Sequence, residues 1–170
     1  MKKSVILCVD DEKIVLSSLK TELKNAFGSD YLIEIAEDPD DALDIFESLK
    51  EEGYDVPLII SDYIMPKMRG DELLKFFHEK SQHTLSIMLT GQATTEGITN
   101  AVNWAHLYRY IPKPWDPKDL ILTVREALKS HNQEQQIAFK NKELLNLNQE
   151  LEKNVEERTS EINFKNENLE

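Results

Sequence analysis

Five short apolar runs, each followed by a segment whose apolar residues recur at helical spacing, restrict most strongly how this chain can fold. The predicted strands are Ser4–Val9, Leu32–Ala36, Asp55–Asp62, Leu85–Thr90 and Leu107–Ile111. The segments between them are long enough to cross over between parallel neighbours. Such an alternation predicts a parallel sheet with helices on both faces, and therefore an α/β fold.

Caps and breakers mark the predicted helices. The five helices are expected to start near Lys13, Pro39, Asp71, Thr94 and Pro117. Asp38 and Asp116 each stand directly before a proline, an order that suits an N-cap and the first helical position. The helix over Thr94–Trp104 is expected to be weaker, because Gly97 and several threonines lower its propensity.

The last helix has no sequence signal that ends it, since Pro117 is the last proline or glycine of the chain. Beyond it, two series with a period of seven form a heptad pattern: Ile137, Leu144 and Leu151 at d, and Asn141, Asn148, Val155, Ile162 and Leu169 at a. Asparagine at a favours a parallel, in-register dimer. Arg158 and Lys165 fall at d, so the seam weakens towards the end. The alternative is a solvated, partly disordered acidic tail.

Composition limits the function classes. The chain has 20 basic and 32 acidic residues and a formal net charge of −12, which argues against direct binding of nucleic acid. The apolar run after Met1 is too short for a signal peptide, and no segment is expected to span a membrane, so a cytoplasmic location is predicted. The single cysteine, Cys8, is expected to be a core residue. The four histidines show no paired spacing for a metal.

The stretch from Leu58 to Pro66 delivers an acidic side chain, Asp62, to the end of a buried strand, and Pro66 then forces a loop. If the sheet is doubly wound (flavodoxin-like) with the order 2-1-3-4-5, Asp10 and Asp11 lie beside Asp62 at the switch point. Three crowded carboxylates repel each other unless a cation lies among them, and hard oxygen ligands suit Mg²⁺.

Two further residues end strands on the same edge. Thr90 offers a hydroxyl donor and Lys113 a positive charge, both of which suit a phosphoryl group. Together the set indicates phosphoryl transfer to a carboxylate, with Asp62 as nucleophile.

In its motifs the chain resembles the receiver domains of two-component response regulators over about residues 3–130. The motifs are Val9-Asp10-Asp11-Glu12, Ser61-Asp62-Tyr63-Ile64-Met65-Pro66 with Gly70, Leu89-Thr90-Gly91 and Tyr108-Arg109-Tyr110-Ile111-Pro112-Lys113-Pro114-Trp115. The resemblance implies that Asp62 accepts a phosphoryl group from a histidine kinase or a phosphotransfer protein. The domain would catalyse only its own phosphorylation and dephosphorylation.

The resemblance also implies a ligand set and a switch. Asp11 and Asp62 would bind Mg²⁺ directly, Asp10 would act through water, and Ile64 would contribute its backbone carbonyl. On phosphorylation Thr90 would move towards the phosphoryl group and Tyr110 would turn inward. The Lys113-Pro114 peptide bond is expected to be cis.

The tail resembles another kind of segment. Its stretch from Leu151 to Ile162 is similar to coiled-coil linkers that precede histidine kinase, cyclase or phosphodiesterase domains. The expected organisation is a receiver over 1–130 and a coiled-coil helix over 131–170 that forms a parallel homodimer. The helix would lead to an output domain that this sequence lacks, or would engage a partner.

Two other interpretations of the same residues are open. One is a pseudo-receiver that dimerises without being phosphorylated. The other is a phosphohydrolase that uses Asp62 as nucleophile, but the haloacid-dehalogenase-like enzymes have a second aspartate two residues after the first, where this chain has Ile64.

Overall fold

A computed structural model describes residues 3–91, 98–99, 102–103 and 107–169. The chain divides into two compact units, Met1–His131 and Asn132–Glu170. Among the described residues, none of the helices combines the length and apolar character that crossing a lipid bilayer requires.

The first unit contains a five-stranded parallel sheet. Its strands are β1 (Ser4–Val9), β2 (Tyr31–Ala36), β3 (Asp55–Asp62), β4 (Leu85–Thr90) and β5 (Leu107–Pro112). They are arranged in the order β2-β1-β3-β4-β5, which confirms the predicted doubly wound sheet. Val9 pairs with Ser61, Asp62 with Leu89, and Thr90 with Pro112. This register aligns the carboxyl ends of four strands along one edge.

The described helices are α1 (Lys13–Phe27), α2 (Pro39–Glu51), α3 (Gly70–Lys80) and α4 (Pro117–Glu167). Asp38 caps α2 as predicted, because its carboxylate accepts the Asp41 N–H at 2.9 Å. Asp116 likewise accepts the Lys118 N–H at 2.8 Å at the start of α4. The predicted helix over Thr94–Trp104 lies largely outside the described residues.

Alternating residues of the buried strands divide the core between the two faces of the sheet. On one face Ile6, Cys8, Leu58, Ile60, Ile87 and Leu89 pack with the apolar sides of α1 and α4. On the other face Leu7, Val9, Ile59 and Met88 pack with α2 and α3. Because successive side chains of a strand point to opposite faces, a continuous apolar strand such as β3 serves both layers.

The helix α4 changes character along its length. Its buried residues are Leu120, Thr123, Val124, Ala127, Leu128 and His131, at the spacing of one helical face. In the second unit the described side chains are exposed, including Ile137, Leu144, Leu151, Val155 and Ile162 of the heptad series.

Candidate functional site

Four elements bring polar side chains to the carboxyl edge of the sheet. Asp10 follows β1, Asp62 is the last residue of β3, and Thr90 is the last residue of β4. Lys113 directly follows β5, and the peptide bond from Lys113 to Pro114 is cis, which agrees with the expectation. Ligand oxygens of Asp10, Asp11 and Asp62 lie within 4.8 Å of one another.

Lys113 bridges two of these carboxylates. Its Nζ lies 2.8 Å from Asp10 Oδ2 and 3.1 Å from Asp62 Oδ1, and its side chain is 15% exposed. Burial by itself lowers the pKa of Lys113, but the hydrogen bonds to Asp10 and Asp62 outweigh it and hold the pKa above its ordinary value. The lysine is therefore a fixed positive charge beside Asp62.

Asp62 is buried at 5% exposure. The Tyr63 N–H donates to its Oδ1 at 2.9 Å. Burial, and then the negative charge of Asp10, raise the pKa of Asp62 above its ordinary value, although Lys113 and the Tyr63 N–H oppose the shift. Ionised Asp62 thus sits in surroundings that favour its neutral form, and added positive charge would relieve this cost.

Thr90 carries a hydroxyl whose oxygen is buried and, among the described residues, has no hydrogen-bond partner. An unpartnered buried hydroxyl costs free energy, so it favours a state in which a hydrogen-bonding group arrives. Tyr110 lies on the neighbouring β5, pairs with Met88 in the sheet register, and is 49% exposed. It does not belong to the acidic cluster.

The acidic edge borders an open cleft of about 430 Å³. It is lined by Asp11, Glu12, Asp62, Ile64, Gly91 and Lys113. Ile64 is 57% exposed at its rim. A Cβ on Gly91 would meet nothing within 4 Å among the described residues.

Gly70 supports the site in a way that the sequence did not reveal. A Cβ atom at this position would collide with the backbone carbonyl of Asp62, and the Gly70 N–H donates to Tyr63 O at 2.8 Å. The start of α3 is therefore pressed against the strand end that presents Asp62. Sequence reasoning noted this glycine only as part of a motif, because the contact depends on the path of the loop.

The side chains present fit a divalent cation. Three carboxylates meet at one point, two of them buried and one exposed. Burial, and then the charge of Asp10, raise the pKa of Asp62, and Lys113 does not fully offset them. Oxygen donors with one side open to solvent are the ligands that Mg²⁺ prefers in proteins.

The order of the sheet and its acidic edge define a doubly wound, flavodoxin-like protein with its polar site at the switch point. The family model described as response regulator receiver domain matches residues 6–125. Because this match covers more than half of the sequence, the chain belongs to the receiver domain family of response regulators.

Part of this chain is similar to part of two transcriptional regulatory proteins and of a sensor kinase. The hydrogenase transcriptional regulatory protein HoxA of Cupriavidus necator is 31% identical over 129 residues, which are 76% of this chain and 25% of HoxA. The transcriptional regulatory protein CpxR of Escherichia coli is 32% identical over 132 residues, which are 77% of this chain and 52% of CpxR. The sensor kinase CckA of Brucella abortus is 29% identical, over 76% of this chain and 13% of the kinase. The chain thus spans about half or less of each of these relatives.

Solved structures agree with the fold. The signal receiver domain of an HD domain-containing protein from Pseudomonas fluorescens superposes with a TM-score of 0.70 at 32% identity, covering 78% of this chain and 99% of that one. A CheY-like response regulator receiver domain protein from Methanospirillum hungatei gives 0.67 at 33% identity, covering 79% and 99%.

Proposed function

We propose that the first unit accepts a phosphoryl group on Asp62 in a two-component phosphorelay, with a histidine kinase or a phosphotransfer protein as donor. The observation that carries the proposal is the buried Asp62 carboxylate, which lies beside an open cleft and contacts Lys113, while Lys113 also contacts Asp10. Membership of the receiver family supports it. The unit would act on itself alone, gaining and losing its own phosphoryl group.

The transfer step follows from the contacts of Asp62. Tyr63 and Lys113 both donate to Oδ1, so we assign the attack on phosphorus to Oδ2. The new O–P bond forms as the P–N bond of the donor phosphohistidine breaks, and the bonding pair returns to the imidazole nitrogen. Lys113 is placed to donate to a phosphoryl oxygen while it stays on Asp10, and the Thr90 hydroxyl is available as a second donor.

Mg²⁺ is the proposed cofactor. Asp11 and Asp62 would hold it directly, Asp10 through water, and Ile64 through its backbone carbonyl. When bound, the ion would neutralise negative charge on the carboxylates and on the transferred group. The burial of Asp62 and the charge of Asp10, which together raise its pKa in spite of Lys113, support this role.

Intact mass after incubation with acetyl phosphate and Mg²⁺ tests the proposal. The wild type should gain the mass of one phosphoryl group, and Asp62→Asn should gain none. Asp44→Asn, which removes an exposed carboxylate on α2, is the matched control and should be labelled like the wild type. An unlabelled wild type, beside a control receiver that is labelled, would favour the pseudo-receiver interpretation. Label retained by Asp62→Asn would refute the assignment of Asp62.

We further propose that Thr90 and Tyr110 form the switch. Movement of the Thr90 hydroxyl to a phosphoryl oxygen would give a partner to a buried group that has none among the described residues, and would vacate space for the half-exposed Tyr110 ring. Tyr110→Ala should leave phosphorylation of Asp62 intact but remove its effect on self-association. Self-association of Tyr110→Ala that responds to phosphorylation as in the wild type would exclude this role.

The output that we propose is a parallel, in-register coiled-coil dimer of the second unit. The exposed apolar series supports this output. The side chains of Ile137, Leu144 and Leu151 are 58–61% exposed, and exposure of such a series to water is unfavourable for a helix without a partner. Leu144→Ser should weaken dimerisation in sedimentation equilibrium. Phe139→Ser, which changes an exposed apolar residue at heptad position f, should not.

Cysteine crosslinking tests the orientation of the helices. The native Cys8 is fully buried, and burial raises the pKa of its thiol to about 12, so it should not compete. Asn141→Cys should form an intermolecular disulfide quickly in a parallel, in-register dimer. An antiparallel pair centred on the tail would separate the two thiols by tens of ångströms, at about 1.5 Å per residue, and give no crosslink.

A further inference from the structure

His131 is a buried histidine that the proposed phosphoryl transfer does not use. It is the last residue of the first unit and the last buried residue of α4, with its side chain 2% exposed. Its ring contacts two other segments at the amino edge of the sheet, the edge opposite to Asp62. These are the start of β3 at Asp55 and the loop before β4 at His83.

The two contacts limit how the ring can be protonated. Nδ1 lies 2.8 Å from the backbone oxygen of His83, which can only accept, so Nδ1 carries a proton. Nε2 lies 3.0 Å from Asp55 Oδ2, and the Asp55 side chain is 30% exposed. An ionised Asp55 carboxylate can only accept, so Nε2 beside it would donate and the ring would be an imidazolium.

We propose that His131 is a charged positioning residue, which fastens the last turn of α4 within the first unit to the amino edge of the sheet through Asp55 and the His83 carbonyl. The helical stripe of α4 supports this role. Leu120, Val124 and Leu128 hold the helix by apolar contact, but the next position of the stripe is a histidine with two directed bonds. Apolar attraction is non-directional, whereas two hydrogen bonds from a rigid ring set both the rotation and the height of the turn.

The fastening has two partners of different kinds. Asp55 contributes its side chain and its charge, and its own N–H is held by the Lys3 carbonyl at 3.1 Å. His83 contributes only a backbone oxygen and has an exposed side chain. Substitution of the Asp55 side chain should therefore change the state of His131, whereas substitution of the His83 side chain should not. The His83 variant is thus the internal control.

The test is nitrogen NMR of the histidine rings in the full chain at neutral pH, with signals assigned by their loss in His131→Gln. In the wild type both ring nitrogens of His131 should be protonated. Asp55→Asn should return His131 to a neutral ring, and His83→Ala should leave its signals unchanged. A wild-type ring with a single protonated nitrogen would overturn the charge assignment.

Hydrogen exchange tests the fastening separately from the charge. Amides of residues 127–131 should exchange at least about tenfold faster in Asp55→Asn than in the wild type or in His83→Ala, the effect expected for loss of a hydrogen bond to a charged group. His131→Leu, which fills the site with an apolar side chain, distinguishes loss of the two hydrogen bonds from simple unfolding. It should fold, yet show the same faster exchange. Unchanged exchange in both Asp55→Asn and His131→Leu would refute the positioning role.

Discussion

Replacing Asp62 by asparagine should make the protein more stable when no divalent cation is present. Burial and the charge of Asp10 raise the pKa of Asp62, so the ionised carboxylate costs folding free energy at neutral pH. Asparagine has nearly the same shape, and its amide oxygen can still accept the Tyr63 N–H. Lys113 retains its contact with Asp10 at 2.8 Å in the variant.

The size of the gain follows from the distances. Two unit charges repel by about 3.5 kcal/mol at 4.8 Å, the upper limit of the separations in this cluster, at an effective dielectric constant of about 20, and Asp62 has two such neighbours in Asp10, which raises its pKa, and Asp11. The attraction of Lys113 at 3.1 Å offsets about 5 kcal/mol. Solvent screens the share of the exposed Asp11, while the burial of Asp62 adds to the cost. The expected net gain for Asp62→Asn is about 1–2 kcal/mol.

Urea unfolding in the presence of a chelator measures this gain. Both tryptophans precede residue 131, so their fluorescence reports on the first unit. With a slope of about 2 kcal/mol per molar urea, the midpoint should rise by roughly 0.5–1 M in Asp62→Asn. The exposed Asp44→Asn should not move it. Added Mg²⁺ should stabilise the wild type and reduce the difference.

The pH dependence has a definite sign. Because the pKa of Asp62 is higher in the folded state than in the unfolded state, the stability linked to its protonated form is fully present below the unfolded value of about 3.9. That stability is lost as the pH rises through the folded value. The advantage of Asp62→Asn should therefore appear above the folded pKa and vanish on acidification. An asparagine variant that is no more stable than the wild type in chelator would refute the electrostatic reasoning.

Three further substitutions test other parts of the first unit. Gly70→Ala should destabilise it by about 3 kcal/mol or more in urea unfolding, because a Cβ there meets backbone, while Gly91→Ala, whose Cβ meets nothing within 4 Å among the described residues, should be tolerated. Lys113→Met should cost about 3–5 kcal/mol and abolish labelling by acetyl phosphate, since it leaves two buried carboxylates without their cation. The exposed Lys67→Met, which breaks a surface pair, should change neither measurement. Phe46→Ala should cost about 3–5 kcal/mol in calorimetry, because its ring is 2% exposed and packs on a neighbouring ring at 4.8 Å.

The sequence predicted those parts of the fold that local patterns determine. The strand Asp55–Asp62 agrees with the structure at both ends, because a continuous apolar run stops at an acid. The second strand begins at Tyr31 rather than Leu32, since pairing of Tyr31 with Ser4 extends it by one residue. Helix α3 starts one residue before the predicted Asp71, and its N-cap is Arg69 rather than one of the usual small polar residues.

Contacts between distant parts of the chain were harder to predict. The sequence placed Lys113 on the same edge as Asp62 but did not reveal that it bridges Asp10 and Asp62, which depends on the register of four strands. The pair of His131 and Asp55 joins residues 76 positions apart and was not predicted. One signal was present, because His131 continues the spacing of Leu120, Val124 and Leu128 and so falls on the buried side of α4.

The contact between Gly70 and the backbone of Asp62 sets a rule for anyone who redesigns this protein. The acceptor strand and the helix that follows it cannot be spaced apart by choosing a larger residue, since the smallest side chain already collides. A designer who wants a wider cleft must instead lengthen the loop between Tyr63 and Arg69, or work at Gly91, where a Cβ meets nothing within 4 Å in the part of the chain that the structure describes. Position 70 is thus a fixed point of the scaffold, whereas the described neighbours of position 91 leave room for a side chain.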